Sequence, residues 1–242
     1  MQTTEMTEGL GSRFREYCER YSLEATLATV AGVDLIIHPR VYRAEGASTT
    51  STLLKALGEP KGLRVLDMGC GSGIIGVIAA LRGAAEVVLA DVSADAVANA
   101  QANIEYHGLA GRCRVHRSDL FESLGDERFD LIMFNMPFWY LNDSDDALEF
   151  PVSEGMLRAI PPQEAFVDVG YGMIRRFMSK AASHLNPGGV IRCSFASFGN
   201  FEALDEILRD FDLKRRTVAE TVETDYDLKY LAFEVTPEDL TP

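Results

Sequence analysis

The chain has 242 residues, of which 47% are hydrophobic and 25% are charged, a composition typical of a soluble protein with one sizeable core. Its 23 basic and 37 acidic residues give a formal net charge of −14, which argues against nucleic acid as a partner. The polar, acidic N-terminus lacks a signal-peptide pattern, and no apolar stretch reaches the length of a membrane span. We therefore expect a cytoplasmic protein.

The four cysteines and four histidines are scattered along the chain. They form no CxxC pair, and no cysteine stands near a histidine at metal-ligand spacing. We expect reduced thiols and no metal site.

The first 60 residues are predicted to form a cap before the main domain. Apolar residues at helical spacing predict a helix over residues 10–32. A short strand is predicted at 33–37, and a polar run with several possible N-caps predicts a second helix after it. The turn-rich segment Gly58–Gly62 then separates the cap, residues 1–60, from a domain of residues 61–242.

Strands and helices alternate after this boundary. The prediction is, in order, strand 63–67, helix 73–81, strand 86–91, helix 94–107, strand 113–116, strand 129–134, helix 171–185, strand 190–195, helix 201–210 and strands near 213–218 and 230–235. This alternation implies right-handed βαβ units. We expect a Rossmann-like α/β fold, a three-layer αβα sandwich whose mostly parallel seven-stranded sheet has a reversed edge strand.

About 30 residues without clear periodicity, 141–170, follow one of these strands. Ligands of open α/β sheets bind at the carboxyl ends of strands, and long ordered loops there are often lids. An acidic lid at about 139–170 and a solvated surface loop are the two alternatives. If the substrate of the protein is an amine, Glu149 or Glu154 could attract its positive charge or accept a proton from it. The acidic residues of the stretch are Asp143, Asp145, Asp146, Glu149, Glu154, Glu164 and Asp168.

The strongest motif is a glycine-rich turn between a strand and a helix. Asp67 ends the strand, and Gly69, Gly71 and Gly73 follow at alternate positions. Glycine allows a sharp turn and the close approach of a ligand, and the helix N-terminus offers free N–H groups. Residues 71–76 alone also match the GxGxxG pattern of dinucleotide-binding proteins. A carboxylate at the mouth of the loop would repel a pyrophosphate and attract an ammonium group, so Asp67 disfavours a nicotinamide cofactor.

Two further strand ends carry candidate cofactor residues. Asp91 ends the second strand of the domain, where an acid can bind both hydroxyls of a ribose. Val92 follows it and is assigned to the same site. The alternative for Asp91 is a charge at the entrance of the next helix. Asp119 and Leu120 follow the third strand, where a simple turn is the alternative.

These motifs resemble those of class I S-adenosylmethionine-dependent methyltransferases. The spacing from Asp67 to Gly73 is similar to their first motif. The segment Asn135-Met136-Pro137-Phe138 resembles the [N/D]-P-P-[Y/F] motif of members that methylate amide or exocyclic amine nitrogens. From about residue 35 to 235 the chain is similar to the small-domain group, which includes the HemK/PrmC-like glutamine and the RsmC-like guanine-N2 methyltransferases.

The resemblance implies S-adenosylmethionine as cofactor and S-adenosylhomocysteine as its product. It implies cofactor contacts for Thr50, Asp119 and Leu120, with Asp119 at the adenine amino group and Leu120 beside the ring. Asn135, Pro137 and Phe138 would form the catalytic site.

A planar nitrogen is a poor nucleophile because its lone pair is delocalised. Asn135 Oδ1 and a backbone carbonyl could accept its two N–H groups while Phe138 stacks on the planar group, which orients the lone pair for in-line displacement. Met136 stands where the family has proline, a residue with fixed φ and no N–H. This difference leaves room for another nucleophile.

We therefore predict methyl transfer to a nitrogen of a small molecule or a protein side chain. The alternatives are an RNA base N-methyltransferase, which the net charge disfavours, and a NAD(P)-dependent oxidoreductase, which would leave Asp67 and Asn135 unexplained. A non-catalytic partner subunit would have no need of the Asn135 motif.

Overall fold

The computed structural model describes residues 22–141, 165–224 and 228–237. Its strands are β1 (Thr26–Val30), β2 (Val33–Ile37), β3 (Arg64–Met68), β4 (Glu86–Asp91), β5 (Cys113–Arg117), β6 (Phe129–Phe134), β7 (Trp139–Leu141), β8 (Val167–Val169), β9 (Leu185–Ala196), β10 (Leu213–Glu223) and β11 (Leu228–Pro237). Its helices are α1 (Ser48–Ala56), α2 (Ile74–Leu81), α3 (Ala94–Tyr106), α4 (Gly172–Ala181), a short 3-10 helix (Ala182–His184) and α5 (Phe201–Asp210).

A seven-stranded sheet in the order β10-β11-β9-β6-β3-β4-β5 separates two apolar layers. Successive side chains of a strand point to opposite faces. On β3, Leu66 packs in the layer that contains Ile174 of α4 and Leu204 of α5, whereas Val65 packs in the layer that contains Leu53 of α1 and residues of α2 and α3. The predicted three-layer αβα fold is confirmed.

The reversed strand lies one position in from the edge of the sheet, whereas the sequence analysis predicts it at the edge itself. Strands β9, β6, β3, β4 and β5 are parallel to one another. Strand β11 is antiparallel to both β9 and β10. The last connection is a hairpin, which makes its second strand antiparallel to its first, and this second strand inserts beside β9.

The end of the helix predicted over residues 10–32 is wrong, because β1 and β2 form an antiparallel hairpin. Residues 10–21 of that prediction lie outside the described residues. Ala31 and Gly32 link the strands with φ of 50° and 80°, and left-handed φ at both positions is typical of two-residue hairpin turns. Buried and exposed side chains alternate along β1, a period of two that a helix would not give.

Two buried asparagines of α3 hold the hairpin against the main sheet domain. Asn103 accepts a hydrogen bond from the Ile36 N–H (2.8 Å) and donates to the carbonyls of Ile36 (2.8 Å) and Ser72 (2.9 Å). Asn99 accepts from the His38 N–H (2.9 Å) and donates to the Ile36 carbonyl (2.7 Å). The end of the hairpin is thereby fixed to the glycine-rich turn that contains Ser72.

Only the two ends of the predicted lid are described. Strands β7 and β8 pair in parallel in a separate two-stranded sheet, so residues 167–169 are regular rather than irregular. Residues 142–164, which include Glu149 and Glu154, lie outside the described residues. In the ranges that the structure does describe, no helix is long and apolar enough to cross a membrane.

Candidate active site

A cavity of about 870 Å³ lies at the carboxyl ends of β3, β4 and β6. This is the edge of the sheet where the sequence places the ligand. Its wall includes many of the predicted site residues, namely Thr50, Gly69, Gly71, Asp91, Val92, Asp119, Asn135, Pro137 and Phe138.

The glycine-rich turn needs glycine for both its backbone and its packing. Gly69, Gly71 and Gly73 have φ of 61°, 54° and 80°, a region that side chains disfavour. A Cβ on Gly69 would lie 3.1 Å from the Phe134 ring, and one on Gly73 would lie 3.0 Å from Leu89 Cδ2. Gly69 and Gly71 line the cavity, whereas Gly73 packs against the sheet.

Asp67 lies beneath the turn and not at its mouth, so the prediction of a direct attraction for a ligand ammonium is wrong. Its side chain is 1% exposed and accepts a hydrogen bond from the Gly76 N–H at 2.8 Å. Burial disfavours the charged form and raises the pKa of Asp67 to about 8. The carboxyl group faces the first turn of α2 because alternate residues of β3 point to that side.

Asp91 reaches the cavity and also anchors the turn. One carboxylate oxygen accepts from the Gly71 N–H and the other from the Ser93 N–H, both at 2.9 Å. Burial raises the pKa of Asp91 although these backbone N–H groups favour its charged form. Ser93 caps α3, and its side chain accepts a hydrogen bond from the Ala96 N–H. The carboxylate therefore serves both the helix entrance and the cavity wall, where exposed Val92 adjoins it.

The side chains of Asp119 and Leu120, which follow β5, point in different directions. Asp119 lines the cavity and forms an ion pair with Arg176 at 2.7 Å. Leu120 has a φ of 50° and packs in the core layer, so it is not part of the described wall. The left-handed backbone turns its side chain inward, contrary to the predicted position beside an adenine ring.

Two buried hydroxyl groups position the Asn135 amide. Ser194 Oγ donates to Asn135 Oδ1, and Asn135 Nδ2 lies 3.5 Å from Thr50 Oγ1. Ser194 is 0% and Thr50 1% exposed. A carbonyl oxygen has two lone pairs, so Oδ1 retains one for another donor. Ser194 was missed by the sequence analysis, because a lone serine in an apolar strand resembles any other core residue.

Aromatic side chains surround the segment after Asn135. The rings of Phe138 and Phe198 are edge to face with centroids 5.3 Å apart, and Trp139 lies 6.2 Å from Phe198. The Tyr171 hydroxyl donates to the Phe138 carbonyl at 2.9 Å and accepts from the Asn200 N–H at 2.9 Å. Tyr171 therefore fixes the backbone of the motif from the core.

The first turn of α1 contacts two polar residues of the wall. Ser48 Oγ donates to the carboxylate of Glu223, and Thr50 contacts Asn135. Glu223 ends β10 and lines the cavity. The sequence analysis missed Glu223 as well, since a glutamate at a strand end carries no distinctive pattern.

Among residues 22–141, 165–224 and 228–237, no cluster of three or more histidine, cysteine, aspartate or glutamate side chains is arranged to hold a metal ion. Cys70, Cys113 and Cys193 are buried free thiols.

Curated relatives share sequence with this chain, and three of them are described here. The uL3 ribosomal protein glutamine methyltransferase of Bradyrhizobium diazoefficiens is 36% identical over 62% of this chain and 45% of its own length. A putative protein N5-glutamine methyltransferase of Methanocaldococcus jannaschii is 30% identical over 74% of this chain and 84% of its own. The ribosomal RNA small subunit methyltransferase C of Chromohalobacter salexigens is 33% identical over 63% and 49%. The chain thus spans about half the length of the first and third relatives.

Solved structures agree in fold. The T. thermophilus 16S rRNA N2 G1207 methyltransferase RsmC, in complex with AdoMet and guanosine, superposes with a TM-score of 0.57 at 25% identity, over 87% of this chain and 50% of that one. The M. jannaschii tRNA m1G37 methyltransferase has a TM-score of 0.59 at 16% identity, over 88% and 54%.

Proteins named for RNA substrates therefore share this fold, and the expectation that net charge disfavours nucleic acid is not supported. The model of the family described as methyltransferase small domain matches residues 32–157, which is more than half of the chain. This chain belongs to the methyltransferase small domain family.

Proposed function

We propose that this chain is an S-adenosylmethionine-dependent N-methyltransferase acting on a small molecule or a protein side chain. The observation that carries the proposal is that one cavity joins the glycine-rich turn and Asp91 to Asn135. Family membership favours methyl transfer over the oxidoreductase and non-catalytic alternatives.

The described wall fits S-adenosylmethionine. The cavity volume of about 870 Å³ falls in the range of cofactor sites. Gly69 and Gly71 leave the turn without side chains on the cavity side, and the Asp91 carboxylate is at the wall for the ribose hydroxyls. Asp119 is assigned to the adenine amino group. The bound cofactor would supply an activated methyl group on a sulfonium leaving group.

Asn135 would orient the acceptor nitrogen. Ser194 and Thr50 hold its amide in one rotamer, so the remaining Oδ1 lone pair points in a fixed direction for an acceptor N–H. Phe138 and Pro137 shape the adjoining wall. Fixed orientation of a nucleophile accounts for a large part of the rate in displacement reactions.

The relatives named for RNA substrates make an RNA base the second candidate for the acceptor. The domain boundary near residue 60 and the role of the acidic segment within 139–170 as a lid belong to the same proposal.

Isothermal titration with S-adenosylmethionine tests the proposal. We expect Asp91→Ala to weaken binding about 100-fold, because it removes two hydrogen bonds to a charged acceptor. Asp91→Asn keeps an acceptor for one of the two anchoring N–H groups and should weaken binding less than Asp91→Ala. Asp126→Ala, at an exposed turn, should bind like the wild type. Absence of binding by the wild-type chain, or equal affinity of the Asp91 and Asp126 variants, would refute the proposal.

A further inference from the structure

The cavity wall crosses the carboxyl ends of four neighbouring strands in the order β6-β3-β4-β5. Asn135 follows β6, the glycine-rich turn follows β3, Asp91 ends β4, and Asp119 lies just after β5. Neighbouring strands are about 4.8 Å apart, so a donor whose ribose binds Asp91 has the glycine-rich turn on one side and β5 on the other. Its reactive sulfonium has to face the acceptor at Asn135, and its adenine therefore faces β5.

The segments that follow β4 and β5 adjoin each other directly. Asp91 pairs in register with Arg117, and its carbonyl accepts a hydrogen bond from the Ser118 N–H at 2.9 Å. Arg117 Nε donates to the Val92 carbonyl at 3.1 Å. Because Asp119 is the next residue along this turn and lines the cavity, its carboxylate adjoins the ribose position from the β5 side.

The backbone and the side chain of Asp119 are held by different groups. Ser118 is 3% exposed, and its Oγ accepts from the Ser123 N–H at 2.9 Å and donates to the Leu120 carbonyl at 2.7 Å. These bonds fix the backbone of the turn. The Asp119 carboxylate is fixed instead by Arg176, whose Nη2 donates to Oδ2 at 2.7 Å. Removal of the guanidinium would therefore free the carboxylate and leave the turn in place.

Arg176 extends from a helix whose start is anchored. Asp168 accepts hydrogen bonds from two N–H groups of the first turn of α4 at 2.9 and 3.0 Å. Arg176 lines the cavity and also lies 3.6 Å from Glu122. Its side chain is 53% exposed, and ion pairs that are this exposed contribute little to the stability of a fold. The contact with Asp119 therefore has more effect on the direction of the carboxylate than on folding.

We propose that Arg176 is a positioning residue for the methyl donor, an inference that rests on the proposed methyltransferase function. It holds one oxygen of Asp119 so that the other accepts a hydrogen bond from the adenine amino group. A carboxylate has two acceptor oxygens, and Arg176 occupies one of them. Where adenine has an amino donor, hypoxanthine has a carbonyl acceptor. A carboxylate held in this direction binds the amino group and repels the carbonyl, so the pair selects adenine.

Calorimetry of the full chain with two compounds tests this selection. The compounds are S-adenosylhomocysteine and its deaminated analogue S-inosylhomocysteine. We expect the wild type to bind the adenine compound about 100-fold more tightly, a smaller ratio than at a fully buried site because Asp119 is half-buried. The ratio of the two affinities is the measurement that matters, since a general disturbance of the cavity weakens both compounds alike.

The variant R176Q removes the guanidinium and should lower the ratio about fivefold, the upper range measured for exposed ion pairs. The matched control is R175Q. Arg175 is the preceding residue of α4, has a similar exposure and pairs with Asp210 of α5 at 2.5 Å, but it is not part of the described cavity wall. We expect R175Q to keep the wild-type ratio. In a chain that already carries D119A, R176Q should leave the ratio unchanged, because no carboxylate remains to be positioned.

The inference is overturned if the wild type binds both compounds equally, if R176Q keeps the ratio of R175Q, or if R176Q lowers the ratio further in the D119A chain. Each of these results is distinct from failure of the proposed function, in which the wild type would bind neither S-adenosylmethionine nor S-adenosylhomocysteine.

Discussion

Replacement of Asp67 by asparagine should remove a pH dependence from the stability of the fold. The carboxyl group is buried beneath the glycine-rich turn and accepts a hydrogen bond from the Gly76 N–H. Asparagine keeps an oxygen for that N–H and has the same shape, but it does not ionise. The difference in unfolding free energy between the two proteins therefore isolates the ionisation of Asp67.

The magnitude follows from the two pKa values. Burial raises the pKa of Asp67 from 3.8 to about 8 in the folded chain. Below pH 3.8 both states hold the proton, so the group has no effect on the pH dependence. Between the two values only the folded state holds it, so stability falls by about 1.4 kcal/mol per pH unit. Between pH 3.8 and about pH 8 the unfolding free energy of the wild type should therefore fall by about 6 kcal/mol. This is a large part of the stability of a typical domain.

Urea denaturation of both proteins from pH 5 to pH 9 measures this difference. We expect the unfolding free energy of Asp67→Asn to rise relative to that of the wild type by about 4 kcal/mol between pH 5 and pH 8. Beyond pH 9 this difference should change little. Other titrating groups are common to the two proteins and cancel to first order. A difference that stays constant within about 1 kcal/mol across the range would refute the assignment of a neutral, buried Asp67.

Three other substitutions test the site and the fold. Ser194→Ala removes the donor to Asn135 Oδ1, so kcat should fall about tenfold with unchanged affinity for S-adenosylmethionine; an unaltered kcat contradicts a positioning role. Gly76→Ala places a Cβ 2.8 Å from Leu89 and should cost about 1–3 kcal/mol in urea denaturation, and a neutral effect would mean that the sheet yields. Asn200→Ala removes the side-chain cap of α5 and should cost about 1 kcal/mol, whereas an unchanged midpoint would exclude a stabilising cap.

The sequence predicts those site residues whose position depends on the strand, turn and helix next to them in the chain. Gly69, Gly71 and Asp91 stand within or directly after strands whose carboxyl ends meet at one edge of the sheet. Asn135 directly follows a neighbouring strand, so its position at the carboxyl end of that strand also brings it to the cavity. A strand followed by a glycine-rich turn and a helix fixes this geometry within a few tens of residues.

The rest depends on which way side chains face and on distant contacts. Asp67 points under α2 because of its position in the alternation of β3, and no sequence pattern distinguishes that side from the cavity side. Ser194 is 59 residues from Asn135 along the chain, and Glu223 is 175 residues from Ser48. Only the folded sheet brings these pairs together.

The N-terminal hairpin shows that the spacing of apolar residues alone does not always distinguish a helix from a strand. Apolar residues at helical spacing extend the predicted helix across β1, and Ala31 is not a characteristic turn residue. The tertiary contacts of Asn99 and Asn103 with the hairpin stabilise a strand where local preference alone does not decide.

The residues assigned to the methyl donor and the residues that adjoin the acceptor side of the cavity come from different parts of the chain. Most residues assigned to the cofactor follow β3, β4 and β5, whereas Ser194 and Phe198 belong to β9 or the segment after it and contact Asn135 and the Phe138 ring. Mutations in residues 185–237 should therefore alter acceptor choice while the donor-binding residues stay intact. A chimera that exchanges residues 185–237 with a relative should retain donor affinity and inherit the relative's acceptor preference.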